Sequence, residues 1–369
     1  MRVLVVNAGS SSVKLSLLSE ADETLDQREL AAPGARIDER ELHAALKGGA
    51  GDADAVGHRI VHGGGRFREP VVIDTDVEAA LRRLVELAPL HQPKSLAALD
   101  AVSAALPNVP AVACFDTAFH ATLAPAASTY ALPAPWRERW RLRRYGFHGL
   151  SHAWVARRTP ELLGRPAAQL RIVSCHLGAG ASLCAIADGR SVDTTMGFTP
   201  LEGLVMATRS GSVDPGLLLW LLERSEMTAG ELAQALEHKS GLLGLAGSAD
   251  MREVLARADA DDERAQLARD VYLHRLCAGV GAMAASLGGL EALVFTGGVG
   301  ENSAEIRART TRALGFLGAA IDGRRNAAAA GDCDLSAAGA RVSTLVLRAR
   351  EDLEIARQVR AAMSGASGS

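Results

Sequence analysis

The 369-residue sequence is poor in cysteine, and its five cysteines show no pairing pattern. They are Cys114, Cys175, Cys184, Cys277 and Cys333, and no two have the C-x-x-C spacing of a zinc or redox motif. A disulfide framework would need an even number of cysteines at short spacings in a small secreted chain. We therefore predict reduced core thiols and a cytoplasmic protein without a zinc site.

Lysine and excess positive charge are also scarce. Only four of the 40 basic residues are lysines (Lys14, Lys47, Lys94 and Lys239), and the net charge is -3. This balance gives no reason to expect nucleic acid or an anionic membrane as a general partner. One basic, aromatic segment, WRERWRLRRYGFHG at 136–149, allows a nucleic-acid interpretation. The arginine-rich composition of the whole chain favours a solvated surface there instead.

No apolar run is long enough to span a bilayer. The most apolar stretch, residues 276–290, is short and rich in glycine, and Asn7 interrupts the apolar N-terminal run too early for a signal peptide. The sequence therefore predicts a soluble protein with no membrane partner. Its 48% hydrophobic and 22% charged residues are typical of globular domains, and its length suffices for two of them.

The first eighteen residues predict a β-hairpin with a polar, glycine-containing tip. Residues 3–6 are a short apolar run, and apolar residues then alternate with polar ones over 13–17, which is the period of a half-buried strand. The tip therefore joins strand to strand, unlike a Walker or Rossmann loop, which leads into a helix. Small residues, hydroxyls and Lys14 suit phosphate oxygens. An ordinary serine-rich hairpin remains the alternative.

A second strand, small-residue tip and strand occur at 171–187, where the tip is LGAGAS. A third glycine-rich tip, TGGVGENS, follows the apolar strand 293–295 and precedes a helix that we predict from Ala304. Two similar α/β domains, each beginning with a phosphate-suited hairpin, imply a cleft that holds phosphate. This is the architecture of actin, heat-shock chaperones and sugar kinases.

Eight motifs, in this order, resemble those of the acetate kinase family over residues 7 to about 356: NAGSSSVK, GHRIVHGG, FDTAFH, YGFHGLSH, HLGAGAS, TTMGFTPLEGLVMATRSGSVDPG, SADMR and FTGGVGENS. The resemblance implies an α/β, two-domain actin-like (ribonuclease H-like) fold. Each domain would be a mixed β-sheet flanked by helices, with the active site in the interdomain cleft. The implied domains are 1–117, to which a C-terminal helix 353–369 returns, and 118–352. It also implies a homodimer.

The resemblance implies a reaction in which ATP and acetate give ADP and acetyl phosphate, with Mg²⁺ or Mn²⁺. Acetate is already ionised at pH 7, so the chemistry needs cations and in-line positioning more than a base. The implied catalytic residues are Arg59, Arg209, His148 and Asp116. Because no proton has to leave acetate, we assign Asp116 to orienting an arginine or the metal-bound shell.

The remaining implied roles follow the motifs. Asn7 and Glu351 would hold the metal. The nucleotide and phosphate positions would be Ser10, Ser12, Lys14, His176, Gly178, Gly180, Asp250, Met251, Arg252, Gly298 and Gly300. The acyl pocket would be Arg59 with the apolar residues Val61, Leu90, Phe147 and Pro200.

The sequence departs from the family pattern at several positions. Ala179 replaces an asparagine in the second tip, Ala207 replaces a glycine, Ser212 replaces an aspartate, and Gln92 replaces an asparagine. These changes leave two alternatives to an acetate kinase. One is a kinase for propionate or another short-chain acid, since one methylene changes binding by only about 1–3 kcal/mol. The other is a catalytically impaired nucleotide-binding homologue.

Overall fold

The structure is a computed structural model that describes residues 1–9, 12–31, 38–47, 49–87 and 92–366. The chain forms two compact units. The first comprises residues 1–121, 147–154 and 350 onward, and the second comprises residues 122–146 and 155–349. Among the described residues, each unit contains one six-stranded mixed sheet with helices. The predicted α/β class is confirmed; the domain limits at 117/118 and 352/353 stay a prediction.

The described strands are β1 (Val3–Ala8), β2 (Ser12–Leu18), β3 (Thr24–Ala31), β4 (Ala55–Ile60), β5 (Val71–Val72), β6 (Ala111–Phe115), β7 (Arg171–Leu177), β8 (Ala181–Ala187), β9 (Arg190–Thr194), β10 (Ala292–Thr296), β11 (Cys333–Asp334) and β12 (Ser343–Val346). The α-helices are α1 (Glu39–Lys47), α2 (Thr75–Arg83), α3 (Gln92–Ala105), α4 (Pro125–Ser128), α5 (Ala134–Trp140), α6 (Gly149–Leu163), α7 (Pro215–Arg224), α8 (Ala229–His238), α9 (Gly241–Ala246), α10 (Met251–Asp259), α11 (Glu263–Leu287), α12 (Gly297–Asn302), α13 (Ala304–Ala313), α14 (Gly323–Ala327) and α15 (Glu351–Ala366). Short 3₁₀ helices cover Ala50–Asp52, Leu84–Glu86, Ala118–Thr122, Ala167–Gln169 and Gly315–Leu317.

The two sheets have the same topology. In the first unit the strand order is β3-β2-β1-β4-β6-β5, and in the second it is β9-β8-β7-β10-β12-β11. Each sheet begins with an antiparallel three-stranded meander, continues with two strands parallel to its first strand, and ends in a short antiparallel edge strand. The repeat predicted from two hairpins therefore extends to both whole sheets.

The first hairpin joins strand to strand, as predicted. Strands β1 and β2 pair with Ala8 opposite Val13, and the Gly9 N–H donates to the Ser12 carbonyl oxygen over 2.8 Å. The four residues Val3–Val6 are buried because β1 lies between β2 and β4 in the sheet. Strand β2 keeps one exposed polar position, Lys14, within its buried run. Ser16, on the same face as Lys14, is buried, so the polar alternation read from the sequence corresponds to only one exposed position.

Two elements differ from the prediction. Strand β3 was not predicted, because seven of its eight residues are polar or exposed and only Leu30 is buried. It forms by pairing with β2 at the sheet edge, an interaction that local periodicity does not reveal. The third tip is also not a loop: Gly297–Asn302 is the short helix α12, and it follows β10 directly.

The long helix α11 begins and ends at residues that commonly cap helices. The Asp262 side chain accepts hydrogen bonds from the N–H groups of Arg264 and Ala265, and Gly288 ends the helix in the left-handed conformation. Within the described ranges of the chain, no helix is both long and apolar enough to cross a membrane.

His58 on β4 is fully buried, and neither ring nitrogen has a hydrogen-bond partner among the described residues. Burial lowers the pKa of His58 from 6.5 to about 3. The folded protein therefore keeps this ring neutral while the unfolded chain takes up a proton below pH 6.5. Stability from this group is complete above that pH and is lost as the pH falls toward 3.

We expect the free energy of unfolding to fall by about 2 kcal/mol between pH 7 and pH 5 through His58 alone. Urea titrations at both pH values measure it. The variant His58→Leu should lose this part of the pH dependence, whereas His43→Leu, at an exposed position of α1, should retain it. Identical pH dependence in the wild type and His58→Leu would contradict the assignment.

Candidate active site

Four polar residues from distant parts of the chain meet at one edge of the first sheet. Asn7 lies near the end of β1, Arg59 near the end of β4, and Asp116 directly after β6. These strands are parallel, so their carboxyl ends lie at the same edge, where open α/β sheets place ligands. Glu351 joins them as the first residue of α15.

Hydrogen bonds link all four side chains. The Arg59 guanidinium donates from Nε and Nη2 to the Asp116 carboxylate, over 3.0 and 2.7 Å, and from Nη1 to Asn7 Oδ1 over 3.0 Å. The Asn7 amide in turn donates to Glu351 Oε2 over 3.0 Å, and Arg59 Nε lies 3.9 Å from the same oxygen. Arg59 is therefore held from three sides.

Burial sets the electrostatics of this cluster. The Asp116 side chain is 2% exposed, and that of Arg59 is 16% exposed. Burial by itself would lower the pKa of Arg59, but the charges of Asp116 and Glu351 outweigh it and raise that pKa. Burial raises the pKa of Asp116, and the charge and hydrogen bonds of Arg59 oppose that rise. The arrangement keeps a permanent, oriented cation at the sheet edge.

The predicted residue His148 precedes Gly149, whose backbone is hydrogen-bonded to Asp116. The Gly149 N–H donates to the Asp116 carbonyl oxygen over 2.8 Å, and a Cβ at position 149 would lie 2.1 Å from that oxygen. Only glycine fits there. His148 itself has a left-handed backbone, with φ of 55°, a strained conformation that often marks functional sites.

A histidine that the sequence interpretation missed supports the same segment. His120 is fully buried, and its Nε2 lies 3.0 Å from the carbonyl oxygen of Phe147. The Phe147 ring also contacts the His62 ring edge to face, with centroids 5.5 Å apart. Phe147 and Val61, two residues predicted for the acyl pocket, are both buried in the first unit. Position in the FDTAFH motif was the available signal for His120.

The hairpin residues are only partly described. Ser10 and Leu90, predicted for phosphate and for the acyl pocket, lie outside the described residues. Lys14 is exposed and pairs in register with Asn7. The Ser12 hydroxyl donates to Glu29 over 2.6 Å. Glu29 lies on the unpredicted strand β3, so the sequence interpretation did not include a carboxylate at this position.

In the second unit, Arg209 is fixed by two groups. Its Nη1 donates to the carbonyl oxygen of Pro200 over 2.9 Å, and its Nε lies 3.5 Å from Glu237. Burial lowers the pKa of Arg209, and the charge of Glu237 opposes that effect. Two predicted residues, Arg209 and Pro200, are thus in contact. Glu237, near the end of α8, was not predicted, and no motif marked it.

A cavity of about 790 Å³ in the second unit brings together five predicted nucleotide-side positions. The tip between β7 and β8 contributes Gly178, with Gly180 closing the turn by a 2.9 Å backbone hydrogen bond. The predicted residues that line the cavity are Gly178, Asp250, Met251, Arg252 and Gly298. Ala179, which departs from the family pattern, also lines it. The sequence interpretation missed other lining residues, among them Leu242, Leu255, Tyr272, Val299 and Asn302. His176 lies on β7, and Gly300 in α12.

The structure shows which groups contact the four residues that depart from the family pattern. Ala179 and Ala207 both line this cavity, and the Ala207 N–H donates to the Ala179 carbonyl oxygen over 3.1 Å. Ser212 accepts a 3.0 Å hydrogen bond from the Gly203 N–H through its hydroxyl. Gln92 is buried and its amide oxygen accepts from the His62 N–H over 3.2 Å. Each replacement is accommodated by local contacts.

The predicted metal ligands Asn7 and Glu351 are adjacent, but they do not form a complete coordination site by themselves. Among the described residues no group of three or more His, Cys, Asp or Glu side chains has metal-binding geometry. Asn7 and Glu351 offer oxygen atoms, the donors that Mg²⁺ prefers, and Mg²⁺ commonly takes only one or two carboxylates from a protein. These two residues fit a magnesium ion that keeps most of its water or phosphate ligands.

We expect strong coupling between Arg59 and Asp116. The variant Arg59→Ala should lower the free energy of unfolding by about 3–5 kcal/mol, because it leaves a buried carboxylate without its cation. The double variant Arg59→Ala/Asp116→Ala should recover part of this loss. Urea titrations of the four proteins measure the coupling energy, and additive effects within about 0.5 kcal/mol would contradict it.

Known proteins share both the sequence and the fold. The model of the acetokinase family matches residues 40–357. Acetate kinases of Gloeobacter violaceus and Leifsonia xyli are 45% and 47% identical, covering 97% and 96% of this chain and 98% and 97% of theirs. The fold is similar to the crystal structure of a Porphyromonas gingivalis acetate kinase, with a TM-score of 0.90 and 36% identity over 98% of this chain and 99% of that one. It is also similar to the structure of a Francisella tularensis propionate kinase, with a TM-score of 0.89 and 33% identity over 97% of this chain and 98% of that one. The chain therefore belongs to the acetokinase family.

Proposed function

We propose that this chain is an acetate kinase, which transfers the γ-phosphoryl group of ATP to acetate reversibly and in line. Membership of the family supports a phosphotransferase with a carboxyl group as acceptor. The observation that carries the proposal is the largely buried Arg59, held by Asp116 and Asn7 at the sheet edge. It is an oriented cation of the kind that this reaction requires.

The reaction requires little covalent participation by the protein. Acetate is ionised at pH 7, so no general base has to activate it. The barrier comes from bringing an anion toward a polyanion, and cations lower it. In the proposal Arg59 and Arg209 bind the acetate carboxylate and the transferring phosphoryl oxygens. His148 binds that phosphoryl group, and Asp116 orients Arg59 and removes no proton.

ATP is proposed to occupy the cavity of the second unit. Small residues at Gly178 and Gly298 let backbone N–H groups approach phosphate oxygens closely. Leu242, Met251 and Leu255 supply apolar wall that suits a nucleobase. Ser12 and Lys14 of the first hairpin, with Ser10, are proposed to contact phosphate oxygens as well.

Asn7 and Glu351 are proposed to hold the magnesium ion. When bound, Mg²⁺ neutralises charge on the phosphate oxygens. Mn²⁺ has the same preference for oxygen ligands and is expected to substitute. The 3.0 Å hydrogen bond between Asn7 and Glu351 keeps the two oxygen donors together.

The acid that is preferred defines a second candidate. Val61, Phe147 and Pro200 are apolar and buried, so they suit a methyl or ethyl group equally in chemical type. The similar Francisella tularensis structure is of a propionate kinase. One methylene is worth only about 1–3 kcal/mol, so activity on propionate is expected alongside acetate.

The assembly is proposed to be a cytoplasmic homodimer. Helix α7, PGLLLWLLER, is apolar on all sides, yet none of its residues is buried, and Leu219 and Trp220 are 62% and 56% exposed. A helix that is hydrophobic all round is normally covered. We propose that a second copy covers it. The buried thiols Cys114, Cys175 and Cys184, which form no disulfide, fit a reducing compartment.

We expect hydroxylamine-trapped acyl phosphate from ATP-Mg with acetate, less with propionate and least with butyrate. Arg209→Ala should lower kcat/KM for acetate by roughly a thousandfold, since it removes charge stabilisation of the transition state. Arg275→Ala, at an exposed position of α11, should match the wild type. Highest specificity for propionate would move the assignment to the second candidate. No product with any acid from protein that binds ATP would indicate the catalytically impaired homologue.

We expect twice the 38.5 kDa chain mass in sedimentation velocity experiments. The double variant Leu219→Glu/Trp220→Glu should sediment as a monomer, because it places charge on the apolar α7 surface. Leu267→Glu changes an equally exposed leucine on α11 and should leave the dimer intact. A dimer that survives the α7 substitutions would show that the interface lies elsewhere.

A further inference from the structure

Three polar side chains of the second unit hold one loop. The Tyr130 hydroxyl donates to one oxygen of Glu202 over 2.5 Å, and the Arg144 guanidinium donates to the other over 2.6 Å. The same Tyr130 hydroxyl oxygen accepts from the Phe198 N–H over 2.8 Å. Arg144 also donates to the carbonyl oxygens of Thr195 and Met196 over 3.1 and 3.0 Å. We call Tyr130, Arg144 and Glu202 the Glu202 clamp.

The loop passes under the clamp at Gly197. A Cβ at this position would lie 1.7 Å from the Glu202 carboxylate and 2.1 Å from the Tyr130 hydroxyl. On its other side the Gly197 carbonyl oxygen accepts from the N–H groups of Tyr145 and Gly146. The backbone of residues 195–198 is therefore bound from both directions, in a gap that only glycine fits.

Stability alone does not account for this arrangement. The Arg144 and Glu202 side chains are 18% and 34% exposed, and ion pairs that reach solvent contribute little to folding. The contacts instead converge on one backbone segment. A tyrosine hydroxyl is protonated at neutral pH and can donate, and burial and the hydrogen bond to Glu202 raise the pKa of Tyr130 further.

The clamped loop continues to the residues proposed to meet the acyl substrate. Pro200 lies between Phe198 and Glu202, and its carbonyl oxygen accepts from Arg209 Nη1 over 2.9 Å. A shift of the loop would move Pro200 and release one of the two groups that fix Arg209. Neither Tyr130, Arg144 nor Glu202 lines the cavity proposed for ATP.

We infer that the Glu202 clamp is a set of positioning residues for the carboxylate substrate, acting through Pro200 and Arg209. The inference rests on the proposed function for the roles of those two residues. It assigns a task to the basic, aromatic segment 136–149: Arg144 faces the loop and holds it, while Trp136 and Trp140 on α5 are exposed. Because the clamp residues do not line the cavity proposed for ATP, we expect an effect on the acid and on the transfer step in which Arg209 acts, and none on the binding of ATP.

The test compares two tyrosine-to-phenylalanine variants. Tyr130→Phe removes the hydroxyl that joins Phe198 to Glu202. Tyr145→Phe is the matched control, since its hydroxyl donates to the Arg141 carbonyl oxygen and not to the clamp. We expect Tyr130→Phe to lower kcat/KM for acetate about tenfold, as small misplacements of reacting groups do, with KM for ATP within twofold of the wild type. Tyr145→Phe should change both by less than twofold.

The inference would be overturned if KM for ATP in Tyr130→Phe rose by as large a factor as kcat/KM for acetate fell. It would also be overturned if Tyr130→Phe and Tyr145→Phe changed these constants equally. Amide hydrogen exchange in residues 195–198 gives a readout that does not depend on activity: Tyr130→Phe alone should accelerate it, and unchanged exchange would overturn the clamp. A wild type that is inactive on every acid would count against the proposed function, while the exchange measurement would still decide whether the clamp holds the loop.

Discussion

The buried ion pair between Arg59 and Asp116 is the interaction on which the first unit's site depends. An arginine placed at the end of a central strand needs a partner, because an unpaired buried charge costs several kcal/mol. Asp116 provides it from the neighbouring parallel strand. Its carboxylate is therefore occupied with orientation, which suits a reaction that needs a positioned cation and no base. Asn7 and Glu351 extend the same hydrogen-bonded group to the residues proposed for the metal.

The two units use one sheet topology for different chemistry. In the first, the carboxyl ends of β1, β4 and β6 carry charged and amide side chains. In the second, the equivalent region carries small residues, Gly178 after β7 and Gly297 after β10, beside a mostly apolar cavity. Charged side chains supply an electrostatic field that acts on a ligand, whereas small residues let backbone N–H groups come close to it. A shared scaffold can serve both because strand ends and tips vary freely while the sheet is kept.

The departures from the family pattern fall on supporting contacts more than on the charges. Ala179 and Ala207 are hydrogen-bonded through their backbones at the cavity wall. Relative to the family pattern, Ala179 lacks the side-chain amide of an asparagine, and Ala207 adds a methyl group to a glycine. Ser212 still accepts a hydrogen bond from Gly203. The cations proposed for transfer, Arg59 and Arg209, keep fixed positions. These observations favour a working enzyme over an impaired homologue.

Much of the fold was readable from the sequence because it depends on local pattern. Strand β1 contains a continuous apolar run at 3–6, and β2 alternates over 13–17. Both strands could therefore be predicted, although each extends one or two residues beyond its pattern. The ordered motifs, in turn, identified the family and most proposed site residues. Strand β3 and helix α12 were missed, since one forms only by pairing at a sheet edge and the other looks like a glycine-rich loop.

Only the tertiary structure decided which partners hold the functional residues. Arg59 and Asp116 are 57 residues apart in the chain, Arg144 and Glu202 are 58 apart, and neither spacing carries a signal. Glu29 and Glu237 lie outside the motifs that mark the site, and Glu202 lies inside one without any signal of its own. Each of them binds a residue proposed for binding, catalysis or positioning. The sequence by itself determined the strand pattern and the family, and it supplied the residues proposed to react, because these are local or motif-based. Orientation depends on contacts between distant segments, and those exist only once the sheets have formed.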